Sequence, residues 1–234
     1  MKTEHMTDAE FGTLVLHRRT SARHFIFRVK QGQLHITLPP RTPLKTLKEV
    51  LDEKRPQLRR LFAKKDDNSL KPGDIVYMHD FTVCISEECE NRYRACFADN
   101  TLHITLPRVE NYNDRAVQQN IARLVRPYLK RSAEQYLPER LAYWAQITGN
   151  RYRNVVISHG RRRLGVCRSD RSIALSYYLM CLPDRLIDYV ILHELAHLNE
   201  MSHSPRFHEI CDRYCRGKES ELRKELRRFP FPIE

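Results

Sequence analysis

An α+β fold, with a strand-rich first half followed by a mainly helical second half, is predicted by three features of the 234-residue sequence. The hexapeptide LHITLP occurs twice in the first half, at residues 34–39 and 102–107. Runs with helical spacing of apolar residues dominate the second half. From Val155 onward, strand, turn, strand and helix signals follow one another closely.

Each LHITLP copy alternates Leu, Ile and Leu against His, Thr and Pro, the period-two pattern of a half-buried strand closed by proline. Both copies follow a short polar turn, KQGQ and ADNT, so both read as second strands of hairpins. The expected pairings are residues 25–29 with 34–38, and 93–97 with 102–106. Six shared residues do not decide whether this is an internal duplication. Between the copies, Leu44, Leu47, Val50, Leu51, Leu58, Leu61 and Phe62 predict a helix, with Pro56 as a kink or break. Residues 65–73 (KDDNSLKPG) read as a loop or linker. A second helical region spans residues 113–147, where Pro127 and Pro138 are expected to divide it and Thr148-Gly149-Asn150 to end it. Strands follow at VVIS and at residues 173–176, on either side of an arginine-rich turn. Pro183 and Asp184 then open a helix, with proline as first helical residue and an acid in the first turn. The expected organisation is a strand-rich region over residues 1–110 with one helix, then a helical region over 111–234.

Composition narrows the function classes. With 41% hydrophobic and 30% charged residues, the chain reads as globular and able to bury a core. No run approaches the roughly 18 apolar residues of a membrane span, and the start MKTEHMTDAEF lacks the order of a secretory signal. The expectation is a cytoplasmic protein without a membrane partner. Seven cysteines, an odd number without C-x-x-C pairs, suit reduced thiols, and Cys211 and Cys215 read as core residues. The net charge of +12 attracts polyanions. Seven arginines fall within residues 151–175 against one acid, Asp170. Arg161, Arg162, Arg163, Arg168 and Arg171 are the candidate polyanion-binding residues. A solvated basic face is the simpler reading, because Tyr152 is the one aromatic residue there for stacking on bases.

Residues 193–208 read HELAHLNEMSHSPRFH, four histidines and two glutamates in sixteen positions. Chance predicts about 0.04 H-E-x-x-H matches in a chain of this composition. His193 and His197 lie one helical turn apart on one face, so both imidazoles can address a single ion about 2 Å from each. Glu194 falls along the edge of the stripe formed by Leu186, Ile187, Val190, Ile191, Leu195 and Leu198. A carboxylate there costs several kcal/mol unless paired or put to chemical use. An uninterrupted helix would turn His203 away, so the helix must stop first. Asn199 is the expected left-handed terminator, and Ser204-Pro205 the cap and first residue of a new helix. His203 at that corner completes three protein ligands with one open position, the arrangement of a catalytic zinc. His208 is expected to be a partly exposed helical residue or an outer hydrogen-bond partner, and Glu200 a solvated acid near the helix end.

These residues resemble the YgjP-like family of metal-dependent peptidases, whose helix reads HELxH, then five residues, a third His and a segment ending in Phe-Trp. Here His208 stands where Trp is usual. Upstream, the family's Arg-x-Trp-Gly-Ser-Cys stretch is matched by residues 162–167, with Leu164 and Val166 departing from Trp and Ser. The family's Ile-Asp-Tyr-Val is matched at residues 187–190. The resemblance implies a zincin-like helical half, one zinc ion on His193, His197 and His203, Glu194 as general base, and hydrolysis of a peptide or protein substrate. The strand at residues 173–176 is expected to align that substrate by edge pairing. Metzincins share the spacing to the third His but carry Gly where Glu200 stands, and no Met-turn follows. SprT-like proteases are a more distant analogy. The alternative from another class is a basic nucleic-acid- or protein-binding module with a structural metal, its fourth ligand drawn from His208, Glu209 or a cysteine.

Overall fold

The computed structural model describes residues 3–30, 33–66, 69–90 and 92–233. The chain divides into two compact units, residues 1–69 with 113–115, and residues 70–112 with 116–234. In the first unit, β1 (Thr3–Asp8) and β2 (Gly12–Arg18) form one antiparallel hairpin, and β3 (Ile26–Lys30) and β4 (Gln33–Leu38) form another. The hairpins join through a parallel seam, Leu14 opposite Leu34 and Leu16 opposite Ile36, which gives the order β1-β2-β4-β3. Helix α1 (Leu44–Asp66) follows and runs through Pro56 without a break. Its Leu47, Leu51 and Leu58 share a core with Leu14, Leu16, Leu34, Ile36 and Leu38.

The second unit opens with the same arrangement. β5 (Ile75–Tyr77) pairs with β6 (Thr82–Glu88), and β7 (Arg94–Ala98) pairs with β8 (Thr101–Pro107). β6 and β8 form the parallel seam, so the order is β5-β6-β8-β7, again followed by a helix, α2 (Arg115–Thr148). The two LHITLP segments therefore occupy equivalent strands of two sheets with one topology. Leu34, Ile36 and Leu38 are fully buried, and so are Leu102, Ile104 and Leu106. Both expected hairpins are present. The second turns at Asp99 and Asn100, whose φ angles of 49° and 57° match the two-residue turn that a twisted hairpin favours. Residues 31–32, between β3 and β4, lie outside the described residues, as do residues 67–68 of the expected linker.

Pro127 and Pro138 do not divide α2, contrary to expectation. The buried residues Ile121, Val125, Leu129, Leu137 and Leu141 continue at helical spacing through both prolines. That continuous packing outweighs about 3 kcal/mol of lost hydrogen bonding and steric strain at each proline. Gly149 ends the helix in the left-handed conformation, with its N–H donating to the Gln146 carbonyl at 3.2 Å and that of Asn150 to Ala145 at 2.9 Å.

A third sheet combines β9 (Asn154–Ser158), β10 (Gly165–Cys167) and β11 (Ser172–Ser176) in the order β10-β11-β9. β11 is hydrogen-bonded on both sides and buried throughout, so the expectation that it aligns a substrate by edge pairing is overturned. The outer strands of this sheet are β10 and β9. A 3₁₀ stretch, Tyr177–Cys181, leads into α3 (Asp184–His197), α4 (Pro205–Tyr214) and α5 (Glu219–Arg228). Pro183 sits at the capping position of α3 and not inside it, with Asp184 in the first turn. Among the described residues no helix is long and apolar enough to cross a membrane. The seven cysteines are all free, and Cys211 and Cys215 pack in the core of this unit.

α3 is held on α2 by one carboxylate. Asp188 accepts from Arg140 Nε and Nη2, both at 2.6 Å, and from Trp144 Nε1 at 2.7 Å. Asp184 adds a contact to the start of the helix, its Oδ1 lying 2.9 Å from His79 Nε2. Asp188→Ala strands the Arg140 guanidinium. The expected loss is about 2 kcal/mol, below the roughly 3–5 for a fully buried pair because the Arg140 side chain is 29% exposed. The fluorescence of Trp144, the one tryptophan, reports both the altered environment and the lower denaturant midpoint.

Candidate metal centre

Helix α3 presents His193 and His197 one turn apart, and its end sets the third donor. The Leu198 and Asn199 N–H groups bond back to Leu195 and Ala196, and Glu200 N–H also reaches Ala196 at 3.1 Å. Asn199 is not left-handed, so the expected terminator is corrected. Its side-chain amide instead donates to Asn150 Oδ1 at 2.8 Å and Tyr214 Oη at 3.2 Å, tying the helix end to two distant segments. Ser204 caps α4 as expected, accepting from Phe207 N–H at 3.3 Å, with Pro205 as first helical residue. His203 lies on the corner between these two ends.

The corner brings His193, His197 and His203 together, with one ligand atom from each within 4.8 Å of the others. His193 Nε2 and His203 Nε2 are 3.2 Å apart. Tetrahedral bonds of about 2.0–2.1 Å place two nitrogen ligands roughly 3.3 Å apart, so the donors fit a zinc-sized ion. His197 Nδ1–H donates to the Glu200 carbonyl at 3.1 Å, which leaves its Nε2 as the lone-pair nitrogen. Burial, reinforced by the neighbouring imidazoles, pushes His193 down to about 3, and burial lowers His197 as well. Both rings are neutral at pH 7 and can donate to a cation.

Phe207, fully buried, forms the floor of this cluster. Its ring stacks on His197 at 4.3 Å and meets His193 and His203 edge-on at 4.8 and 4.9 Å. Beyond the match of Phe207 to the family's Phe-Trp segment, the sequence gives no sign of that role, because a buried Phe at the third position of a capped helix reads as ordinary core. His208 stands outside the three converging donors. Its Nδ1 lies 3.4 Å from Glu219 Oε1 and its ring 6.5 Å from that of His203. Glu200 acts through its backbone carbonyl, while its carboxylate accepts from Ser202 Oγ at 2.7 Å.

Glu194 is only 5% exposed and packs over β10. Burial raises its carboxyl to about 7, against a smaller downward pull from the Cys167 N–H that it accepts. Gly165 makes this approach possible, because a Cβ there would lie 2.7 Å from the Glu194 carboxyl carbon. Of the arginines in this region, Arg153 pairs with Asp170 at 3.5 Å, and Arg171, with φ of 66°, donates to the Arg151 carbonyl at 3.0 Å. Arg161, Arg162, Arg163 and Arg168 are exposed.

A model of the YgjP-like metallopeptidase domain matches residues 23–229. The chain belongs to the YgjP-like metallopeptidase family. This YgjP-like chain is accordingly a peptidase-family hydrolase, and the family implies a metal ion and a peptide or protein substrate. Among solved structures it is similar to the metallopeptidase zymogen abylysin of Pyrococcus abyssi, at 22% identity and a TM-score of 0.34, over 39% of this chain and 93% of that one. No curated protein matches it.

Two outcomes follow from the packing of Glu194. Gly165→Ala must displace its carboxylate, so peptide hydrolysis is expected to fall at least tenfold while metal content, read by elemental analysis, stays unchanged. In metal-free protein the raised carboxyl binds a proton that the unfolded chain releases near pH 4.5, so stability declines as pH rises from about 4.5 to 7. Glu194→Gln removes that decline. Its melting temperature should exceed the parent's at pH 8 and match it at pH 5, for a gain of at most about 3 kcal/mol.

Proposed function

We propose that this chain is a zinc-dependent peptidase or related amide hydrolase, with one zinc ion held by His193, His197 and His203 and with Glu194 as general base. The observation that carries the reading is a buried carboxyl raised to about 7 on the same helix as two of three converging imidazoles. When bound, zinc supplies Lewis acidity, acidifying water and polarising the scissile carbonyl. Glu194 takes a proton from the attacking water at a carboxylate oxygen and returns it to the leaving amine. The Cys167 N–H holds that carboxylate in place between the two transfers. Phe207 excludes water from below the imidazoles, and the Glu200 carbonyl keeps the His197 proton on Nδ1. The strand edge of β10 runs beside the carboxylate and supplies backbone groups for an extended substrate.

Glu194→Gln keeps size and burial and removes the base. It should retain zinc, while hydrolysis of an unstructured polypeptide falls by roughly 10²-fold or more. His203→Ala should lose zinc, measured by competition with a chelator. Parental hydrolysis by the Gln variant would remove Glu194 from the mechanism, and loss of zinc from it would favour the binding module with a structural metal.

A further inference from the structure

Arginines bracket β10 at both ends. Arg162 and Arg163 precede Gly165 by three and two positions, and Arg168 follows Cys167 directly. All three are exposed, and within the described residues Arg162 and Arg163 make no ion pair or side-chain hydrogen bond, while Arg168 interacts only through its charge with Asp170. They differ in this from Arg153 and Arg171, whose guanidinium groups are occupied by Asp170 and by the Arg151 carbonyl. Ser176 N–H donates to the Leu164 carbonyl at 2.8 Å and Arg168 N–H to the Ser172 carbonyl at 2.9 Å. Residues 164 and 168 thus face β11, and alternation turns the backbone groups of Gly165 and Cys167 to the open edge. The Cys167 N–H on that edge is the one that Glu194 accepts.

We infer that Arg162, Arg163 and Arg168 select acidic segments of an extended polypeptide, with carboxylate side chains on both sides of the bond to be cut. The inference rests on the peptidase reading above and names its substrate class. Arg163 and Arg168 flank the extended residues Gly165–Cys167, and at about 3.3 Å per residue they are at most roughly 16 Å apart, so they engage acids up to about five positions apart on a paired strand. Between them the edge offers backbone groups and the Glu194 carboxylate, which suits an uncharged stretch of main chain. A nucleic acid would set its repeating phosphate charges against that carboxylate, and Tyr152 is the one aromatic residue of residues 151–175 on which a base could stack.

The experiment measures binding of fluorescein-labelled peptides of about twelve residues, built from Gly, Ser and Leu, to zinc-supplied Glu194→Gln protein. One peptide carries two Asp at the Arg163-to-Arg168 spacing, a second carries Asn there, and a third carries Lys. The Asp peptide should bind about tenfold more tightly than the Asn peptide, the sum of two exposed charge pairs. Arg163→Glu with Arg168→Glu should abolish that preference and transfer it to the Lys peptide, a gain that unfolding cannot produce. Equal binding of the Asp and Asn peptides overturns the inference. So does an oligothymidylate of similar length that binds more tightly than the Asp peptide, which would make this a nucleic-acid face. Acid-selective binding without cleavage of any peptide by the parent protein retires the peptidase reading and leaves the selectivity standing. Cleavage of the Asp and Asn peptides at equal rates does the reverse.

Discussion

Glu194 can be withdrawn from water only where another group receives it, and β10 is built for that. Gly165 leaves the space, the Cys167 N–H supplies a hydrogen bond, and burial then raises the carboxyl to about 7. The arrangement tolerates little movement of α3, since an approach closer than the present one would press the carboxylate into the Gly165 backbone. The anchors of α3 answer that demand. Asp188 fixes its middle to α2 through Arg140 and Trp144, Asp184 fixes its start through His79, and Asn199 fixes its end through Asn150 and Tyr214. Asp184 and Asp188 lie on the helix that also carries the buried residues Leu186, Ile187 and Ile191, and Asn199 follows its end. The imidazole cluster inherits its geometry from these contacts.

Much of this was legible locally. The alternation of LHITLP identified both strands, and the i, i+4 spacing placed His193 and His197 on one face. The Ser-Pro pair located the start of α4, and with it the corner that carries His203. What escaped the sequence depends on partners far along the chain. Asn199 is composed like a left-handed terminator but spends its amide on Asn150, 49 positions away. Pro127 and Pro138 look like breaks because their cost is local, whereas the packing that outweighs it is tertiary. β11 alternates no differently from an edge strand, and only its pairing with both β9 and β10 makes it central. Gly165 and Glu194 stand 29 positions apart, so the need for glycine is visible only where the helix crosses the strand.

The distribution of charge follows the same division between local and tertiary information. A count of arginines in residues 151–175 indicates a basic segment. It does not separate guanidinium groups that brace the β10–β11 turn and the loop before β9 from those that face solvent. Arg171 is committed to a backbone carbonyl and Arg153 to Asp170, so net charge overstates the number of cations available to a partner.

The doubled sheet has a kinetic consequence. Each sheet consists of two hairpins whose strands are neighbours in sequence, and hairpins of this kind close in roughly 1–10 μs. Only the parallel seams reach further, and Leu14 and Leu34 are still just twenty positions apart, while Val83 and Leu102 are nineteen apart. Loop-closure entropy rises only logarithmically with such separations. The chain therefore obtains parallel strand pairs, ordinarily the slow part of a β topology, at low contact order, and each sheet can assemble by docking two preformed hairpins before its helix closes over the seam.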